Sequence, residues 1–225
     1  MSARHREPAI IVINPNSSEA VTDGMDRALA GLRCPDGPAI RCVTLAEGPP
    51  GIETDRHISE VVAPLVRLVE RLDPLALAFV DACFSDPGLA ELRRATDKPV
   101  FGIAETAYRR AAANGGRFGV LSIQEGSLAR HRRYIGELGL TDYLAGDRPV
   151  GLGVTALGDD PAATLARLVQ VGRQLKDGDG ARTIVLGCTG MAPHREQLQT
   201  LLDLPVLDPV LAAAEAAIEA LKVRT

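Results

Sequence analysis

Two of the four cysteines in this 225-residue chain sit in matching surroundings. Cys83 follows the apolar run 75–80 and Asp81-Ala82, and leads into Phe84-Ser85-Asp86-Pro87-Gly88. Cys188 follows the apolar run 183–186 and Gly187, and leads into Thr189-Gly190-Met191. A thiol just past the carboxyl end of a buried strand lies where α/β sheets bind ligands. Small residues behind it let backbone approach a ligand, and N–H groups leaving a strand can hold an oxyanion. The same N–H groups and a following helix dipole favour thiolate over thiol. Two such thiols on opposite walls of a cleft could take a proton from one face of an activated carbon and return one to the other. One sulfur must then be thiolate and the other thiol, with the roles swapping at each turnover. Cys34, in a loop before Pro35, and Cys42, inside an apolar run, read as core cysteines. There is no CxxC pair and no Cys/His cluster with zinc spacing, so no metal is expected.

The elements that must carry these groups alternate strand and helix. Strands are expected at 9–13, 40–45, 75–80, 100–103, 118–121, 150–154, 183–186 and 205–207. Helices are expected at 19–32, 58–72, 90–95, 105–114, 126–138, 161–175, 191–201 and 210–221. The strands are continuous apolar runs rather than alternations, the mark of parallel sheets covered on both faces. The pattern repeats. Residues 10–14 match 118–122, the strand before Cys83 matches that before Cys188 at an offset of 105, and Pro99-Val100-Phe101 matches Pro205-Val206-Leu207. The expected fold is α/β, with two pseudo-symmetric lobes, each a small parallel sheet with helices on both faces, and the active site in the inter-lobe cleft. The lobes are 1–115 and 116–208, and the closing helix in 209–225 returns to the first lobe.

Asn14, before Pro15-Asn16-Ser17-Ser18, and its counterpart Ser122 fall at the same sheet ends as the cysteines. Ser17 and Ser18 read as helix caps. Of the histidines His5, His57, His131 and His194, His194 reads as a solvated helix position and His131, within Arg130-His131-Arg132-Arg133, as an exposed helical face. Asp81 and Asp208 read as caps, and Glu53 and Glu105 as loop residues near the cleft. No basic side chain is expected beside the four strand ends. Serine-hydrolase elbows, P-loops and dinucleotide fingerprints are missing from the sequence.

A charged fraction of 24%, a formal charge of −4 and 3% aromatic content without Trp give no footprint for nucleic acid. The apolar runs are too short to span a bilayer, and residues 1–8 lack the apolar core of a secretory signal. A cytoplasmic protein acting on a small molecule is expected.

Taken together, Ile13-Asn14-Pro15-Asn16-Ser17, Ala82-Cys83-Phe84-Ser85-Asp86-Pro87-Gly88, Pro99-Val100-Phe101-Gly102-Ile103-Ala104-Glu105 and Val185-Leu186-Gly187-Cys188-Thr189-Gly190-Met191 resemble the aspartate/glutamate racemase superfamily. Within it, the chain resembles the hydantoin and allantoin racemases. The resemblance covers nearly the whole chain and implies a two-lobed α/β fold, proton transfer by Cys83 and Cys188, no cofactor and a homo-oligomer. It also implies that substrate polar groups are held by Asn14 and by Phe84, Ser85, Thr189 and Gly190 after the cysteines, with Ser122 as the counterpart of Asn14. Ser85 stands where Gly is usual in hydantoin racemases, Thr189 where Ala is usual, and Gly51 where Ser is common. The expected substrate is a 5-substituted hydantoin or allantoin, whose ring CH yields a delocalised enolate. An aspartate- or glutamate-type substrate, maleate-isomerase-like or decarboxylase-like chemistry on the same fold, and a two-lobed binding protein are the alternatives.

Overall fold

The computed structural model describes residues 7–154 and 156–223; His5 lies outside them. Among these residues eight parallel strands form two four-stranded sheets. The first comprises β1 (Ala9–Asn14), β2 (Ala39–Thr44), β3 (Ala76–Asp81) and β4 (Val100–Gly102), in the order β2-β1-β3-β4. The second comprises β5 (Phe118–Ser122), β6 (Leu144–Pro149), β7 (Thr183–Leu186) and β8 (Val206–Leu207), in the order β6-β5-β7-β8. Each order is the other shifted by four strands, the topology expected of a duplicated α/β unit. The central strands β1, β5 and β7 are buried at every position, which is why they read as unbroken apolar runs.

Among the described residues seven α-helices connect the strands, α1 (Glu19–Ala28), α2 (Asp55–Leu72), α3 (Leu89–Ala95), α4 (Ile103–Ala113), α5 (Leu128–Glu137), α6 (Pro161–Arg173) and α7 (Arg195–Leu202), and α8 (Pro209–Val223) follows β8. Their starts follow local chemistry. The Ser18 hydroxyl caps α1 at Val21 N–H, Thr54 caps α2 at His57 N–H, and Asp160 caps α6 at Ala163 N–H ahead of Pro161 at the first helical position. Asp208 caps α8, accepting from Val210 N–H at 2.8 Å and Leu211 N–H at 3.2 Å. No helix among the described residues is long and apolar enough to cross a membrane.

The expected strand at 150–154 is instead a loop, and the strand is β6, immediately before it. β6 is an edge strand of half-buried residues reading Leu-Ala-Gly-Asp-Arg-Pro, so it lacks the apolar signature of its interior neighbours. Its closing Pro149 has no N–H to donate, which an edge tolerates.

The halves do not have wholly separate cores. One apolar cluster runs from Ile10 and Val12 through Tyr108 and Ala214 to Phe118, Val120 and Val185. Tyr108 on α4 stacks on Phe118 at a centroid distance of 5.8 Å and meets Phe84 edge-on at 5.2 Å. α8 packs on α4 and on β1, β3 and β4 of the first sheet, and Arg110 of α4 pairs with Glu215 and Glu219 on it.

Candidate active site

Cys83 follows β3 and Cys188 follows β7, the equivalent strands of the two sheets, and both line one cavity. The cavity lies beyond the carboxyl ends of the strands, with about 440 Å³ of space including its open mouth. Phe84 and Ser85 after the first cysteine and Thr189 after the second are also on its wall.

Backbone geometry fixes each sulfur. Ala82 N–H donates to Ile13 O at 2.9 Å, and Gly187 N–H donates to Leu121 O at 2.8 Å, so each cysteine turn is tied to the central strand of its own sheet. After Cys83 the chain makes a turn in which Asp86 N–H donates to Cys83 O at 3.0 Å. Asp86 takes φ +43°, the left-handed region that Asp tolerates better than most residues. Its carboxyl accepts from Ala104 N–H at 2.9 Å, Glu105 N–H at 2.7 Å and Tyr134 hydroxyl at 2.9 Å, clamping the Cys83 turn to the start of α4 and to α5 of the other half. Burial nonetheless raises the Asp86 carboxyl to about 7 against the pull of these donors. A side chain on Gly102 would collide with that carboxyl, which explains the glycine at the end of β4.

The two halves cover each other's cysteines. α1 packs on the helical turn Thr189–His194 that follows Cys188. Reciprocally, α5 presents His131 edge-on to Phe84, centroids 5.4 Å apart, and Tyr134 to Asp86, over the turn that follows Cys83.

Burial pushes the Cys83 thiol well above the ordinary range. The Asp81 carboxyl adds to this, and a hydrogen bond from Ser85 N–H opposes it. Burial raises Cys188 to about 11 against hydrogen bonds from Gly190 N–H and Thr189 hydroxyl, with Glu53 adding to the rise. The expected donors after each cysteine are therefore present, but desolvation outweighs them, and both sulfurs rest as thiols near neutrality. Asp81 is not a cap: its carboxyl is 1% exposed, with neither oxygen hydrogen-bonded, and burial raises it well above the carboxylate range.

Other expected positions move. Asn14 and Ser122 lie behind the wall, each fully buried. The Asn14 amide is spent on its own loop, its Nδ2 donating to Asn16 Oδ1 at 2.9 Å, Ser18 O at 3.0 Å and Thr22 Oγ1 at 3.1 Å. Asn16 is the asparagine on the wall; its Oδ1 accepts from Asn14 and from Ser18 N–H, so its Nδ2 is the donor left for a ligand. Ser122 hydrogen-bonds to His131 Nδ1 at 3.0 Å and to Asp147, whose other oxygen meets the same ring nitrogen at 2.9 Å. His131 is only 4% exposed and lines the cavity, correcting the exposed helical face expected from its basic neighbours. Arg130 lines it as well, so a basic side chain does stand beside the strand ends. His194 is buried rather than solvated and lies off this wall, and burial lowers its pKa. Cys34 is exposed, because its Pro-Asp-Gly-Pro turn carries it off the core, while Cys42 is half-buried in β2 and raised to about 12 by burial.

Glu53, expected near the cleft, bridges its mouth. Its Oε1 accepts from Val154 N–H at 2.9 Å, joining the loop before α2 to the loop after β6. Ile52 and Val154 from these two loops wall the cavity. Glu105 is committed to Arg93 and Arg109.

Residues 10–217 match a family described as Asp/Glu/Hydantoin racemase. A hydantoin racemase of Paenarthrobacter aurescens is 37% identical over 214 residues, spanning 92% of this chain and 89% of its own length. A hydantoin racemase of Pseudomonas sp. (strain NS671) is 32% identical over 211 residues, spanning 92% of this chain and 84% of its own. Among solved structures, the allantoin racemase from Klebsiella pneumoniae superposes with a TM-score of 0.89 at 28% identity, covering 97% of this chain and 89% of that one. A glutamate racemase from Bacillus anthracis, 20% identical and covering 98% of this chain and 84% of that one, shares the fold with a TM-score of 0.70.

Proposed function

The chain belongs to the Asp/Glu/hydantoin racemase family, and from that membership we propose that it inverts the ring carbon of a 5-substituted hydantoin or allantoin by moving a proton between Cys83 and Cys188. The observation that carries this reading is that both sulfurs line one cavity, each at the end of the equivalent strand of a duplicated sheet.

The thiolate of one cysteine takes the proton from the ring CH, and the bond's electron pair passes into the adjacent carbonyl as an enolate. The thiol opposite then gives its proton to the other face, and its sulfur becomes the thiolate. No redox step or cofactor enters this balance. Ser85 N–H on one side, and Gly190 N–H with the Thr189 hydroxyl on the other, stabilise whichever sulfur carries the charge. Asn16 Nδ2 is the donor assigned to the enolate oxygen or a ring carbonyl. Asn14 and Ser122 act one step removed, by fixing Asn16 and His131. A hydantoin suits thiol chemistry because its ring CH, between a carbonyl and a ring nitrogen, yields a delocalised enolate and is far more acidic than the α-CH of a zwitterionic amino acid.

A polarimetric screen tests the reading, with single enantiomers of allantoin, several 5-substituted hydantoins, aspartate and glutamate, and spontaneous racemisation subtracted. Rotation should decay with the ring substrates and persist with the amino acids. Decay with aspartate or glutamate alone, or with nothing, would overturn it.

The raised thiols set the pH dependence. An acid whose pKa is raised holds its proton to higher pH, so the population with one thiolate grows as pH rises from 7 toward about 11. Enzymatic kcat/KM should therefore climb across pH 7 to 9 without levelling. A plateau already reached at pH 7 would show that a thiolate exists in the resting enzyme.

Iodoacetamide should modify exposed Cys34 first, with activity retained. Inactivation should follow the slower labelling of Cys83 and Cys188, and a saturating hydantoin should retard only that phase. Activity lost in step with Cys34 labelling counts against the assignment.

A further inference from the structure

Among the described residues that line the cysteine cavity, Arg130 carries the only fixed charge. Its side chain is 13% exposed, and its Nη1 donates to Asp55 Oδ1 at 2.8 Å. Its Nε is buried with no hydrogen-bond partner. A buried guanidinium N–H without an acceptor is costly, and native proteins rarely leave one. The Nε and Nη2 edge of a guanidinium is the fork that grips a carboxylate through two parallel bonds. On Arg130 Asp55 occupies Nη1 only, so neither nitrogen of that edge has an acceptor among the described residues. Asp55 is itself 75% exposed, so it is a weak competitor.

The nearby carboxylates are committed elsewhere. Glu53 serves Val154 N–H, Asp147 serves Ser122 and His131, and Asp86 serves α4 and Tyr134. Arg130 also lines a second, larger cavity, which shares Phe84, Ser85 and His131 with the first. Arg130 thus borders both the cavity lined by the sulfurs and the larger one beside it.

We propose that Arg130 is a specificity residue that binds a carboxylate on the substituent of the carbon being inverted. This rests on the hydantoin reading above and narrows it to an acidic 5-substituent. A charge-assisted pair in so sheltered a place is worth about tenfold or more in binding.

The test compares 5-(2-carboxyethyl)hydantoin with its amide, 5-(2-carbamoylethyl)hydantoin, which has nearly the same shape and no charge. In the wild-type enzyme kcat/KM should favour the carboxylate by at least about tenfold. Arg130→Gln should bring the ratio close to one. Arg130→Lys, which keeps the charge but loses the fork, should hold an intermediate ratio, and Asp55→Asn should preserve or raise it. Thermal melts of each variant report folding. A wild-type ratio near or below one overturns the proposal, and does so even if Arg130→Gln fails to fold. An unchanged ratio in Arg130→Gln also overturns it, because Arg130 would then act on the ring or the fold rather than on the substituent. Ready inversion of the amide with no preference for the carboxylate leaves the hydantoin reading standing and removes only this one. No inversion of either compound removes this proposal, and the hydantoin reading falls with it only if allantoin and the other hydantoins of the screen are not inverted either.

Discussion

Cys83→Ser and Cys188→Ser should each lower racemisation by about a hundredfold to ten-thousandfold, the usual loss when a positioned acid/base group is removed. A hydroxyl fits the space of a thiol but holds its proton far more tightly, so the fold should survive while one wall loses its base. The two variants should differ in kind as well as rate. Each keeps one competent sulfur facing one side of the ring carbon. In deuterated water each should exchange the proton of the enantiomer that presents it to the surviving cysteine, with little inversion, and the preferred enantiomer should be opposite in the two variants. Polarimetry and proton NMR of single enantiomers read both quantities. Wild-type inversion in either variant would end the two-base account.

Gly187→Ala should be strongly damaging although it leaves both cysteines in place. A Cβ there would press on Leu121 O, with Leu121 C and Ser122 Cα both at 3.2 Å. All three are backbone atoms of the central strand and cannot swing aside. Forcing an extra methyl into such a place costs about 1–3 kcal/mol, measurable by chemical denaturation. The relief available is a shift of the Gly187-Cys188 backbone, which breaks the 2.8 Å bond from Gly187 N–H to Leu121 O and carries Cys188 off its line to the substrate. A displacement of about 1 Å in a reacting group can cost about a hundredfold in rate. Gly126→Ala is the control: a Cβ there meets nothing within 4 Å, and stability should stay within about 0.5 kcal/mol of wild type. Equal behaviour of the two variants would show that the strand end is softer than its packing indicates.

The sequence made the duplicated sheet legible because interior parallel strands are apolar at every position, as in Ala9–Asn14 and Thr183–Leu186. It also placed both cysteines at equivalent strand ends, and Phe84, Ser85 and Thr189, which the resemblance assigns to substrate, line the same cavity. The misplaced strand was β6, where an exposed edge permits the Gly-Asp-Arg-Pro that elsewhere signals a turn. His131 was obscured by its charged neighbours, although Ser127, His131, Ile135 and Leu138 have the spacing of one helical face, and that face is the one turned to the cavity and core. Arg130 escaped notice because its guanidinium reaches the cavity from the rim of that face, a matter of side-chain direction that spacing does not encode. Asn14 and Asn16 could not be told apart. Both have the right chemistry, and only the three bonds made by Asn14 Nδ2 show which one is consumed by the loop.

The turns behind the two sulfurs are unlike: Phe84-Ser85 clamped by Asp86 on one side, Thr189-Gly190 in a short helical turn on the other. Mirror-image substrates are equally stable in water, so their interconversion has an equilibrium constant of one whatever the protein contributes. The Haldane relation then obliges kcat/KM to be the same for both hands. A lopsided site can let one hand saturate earlier and turn over more slowly, in compensating proportion. It can never enrich either hand, so a stereochemical bias in the final product pool would have to come from another catalyst that removes one enantiomer.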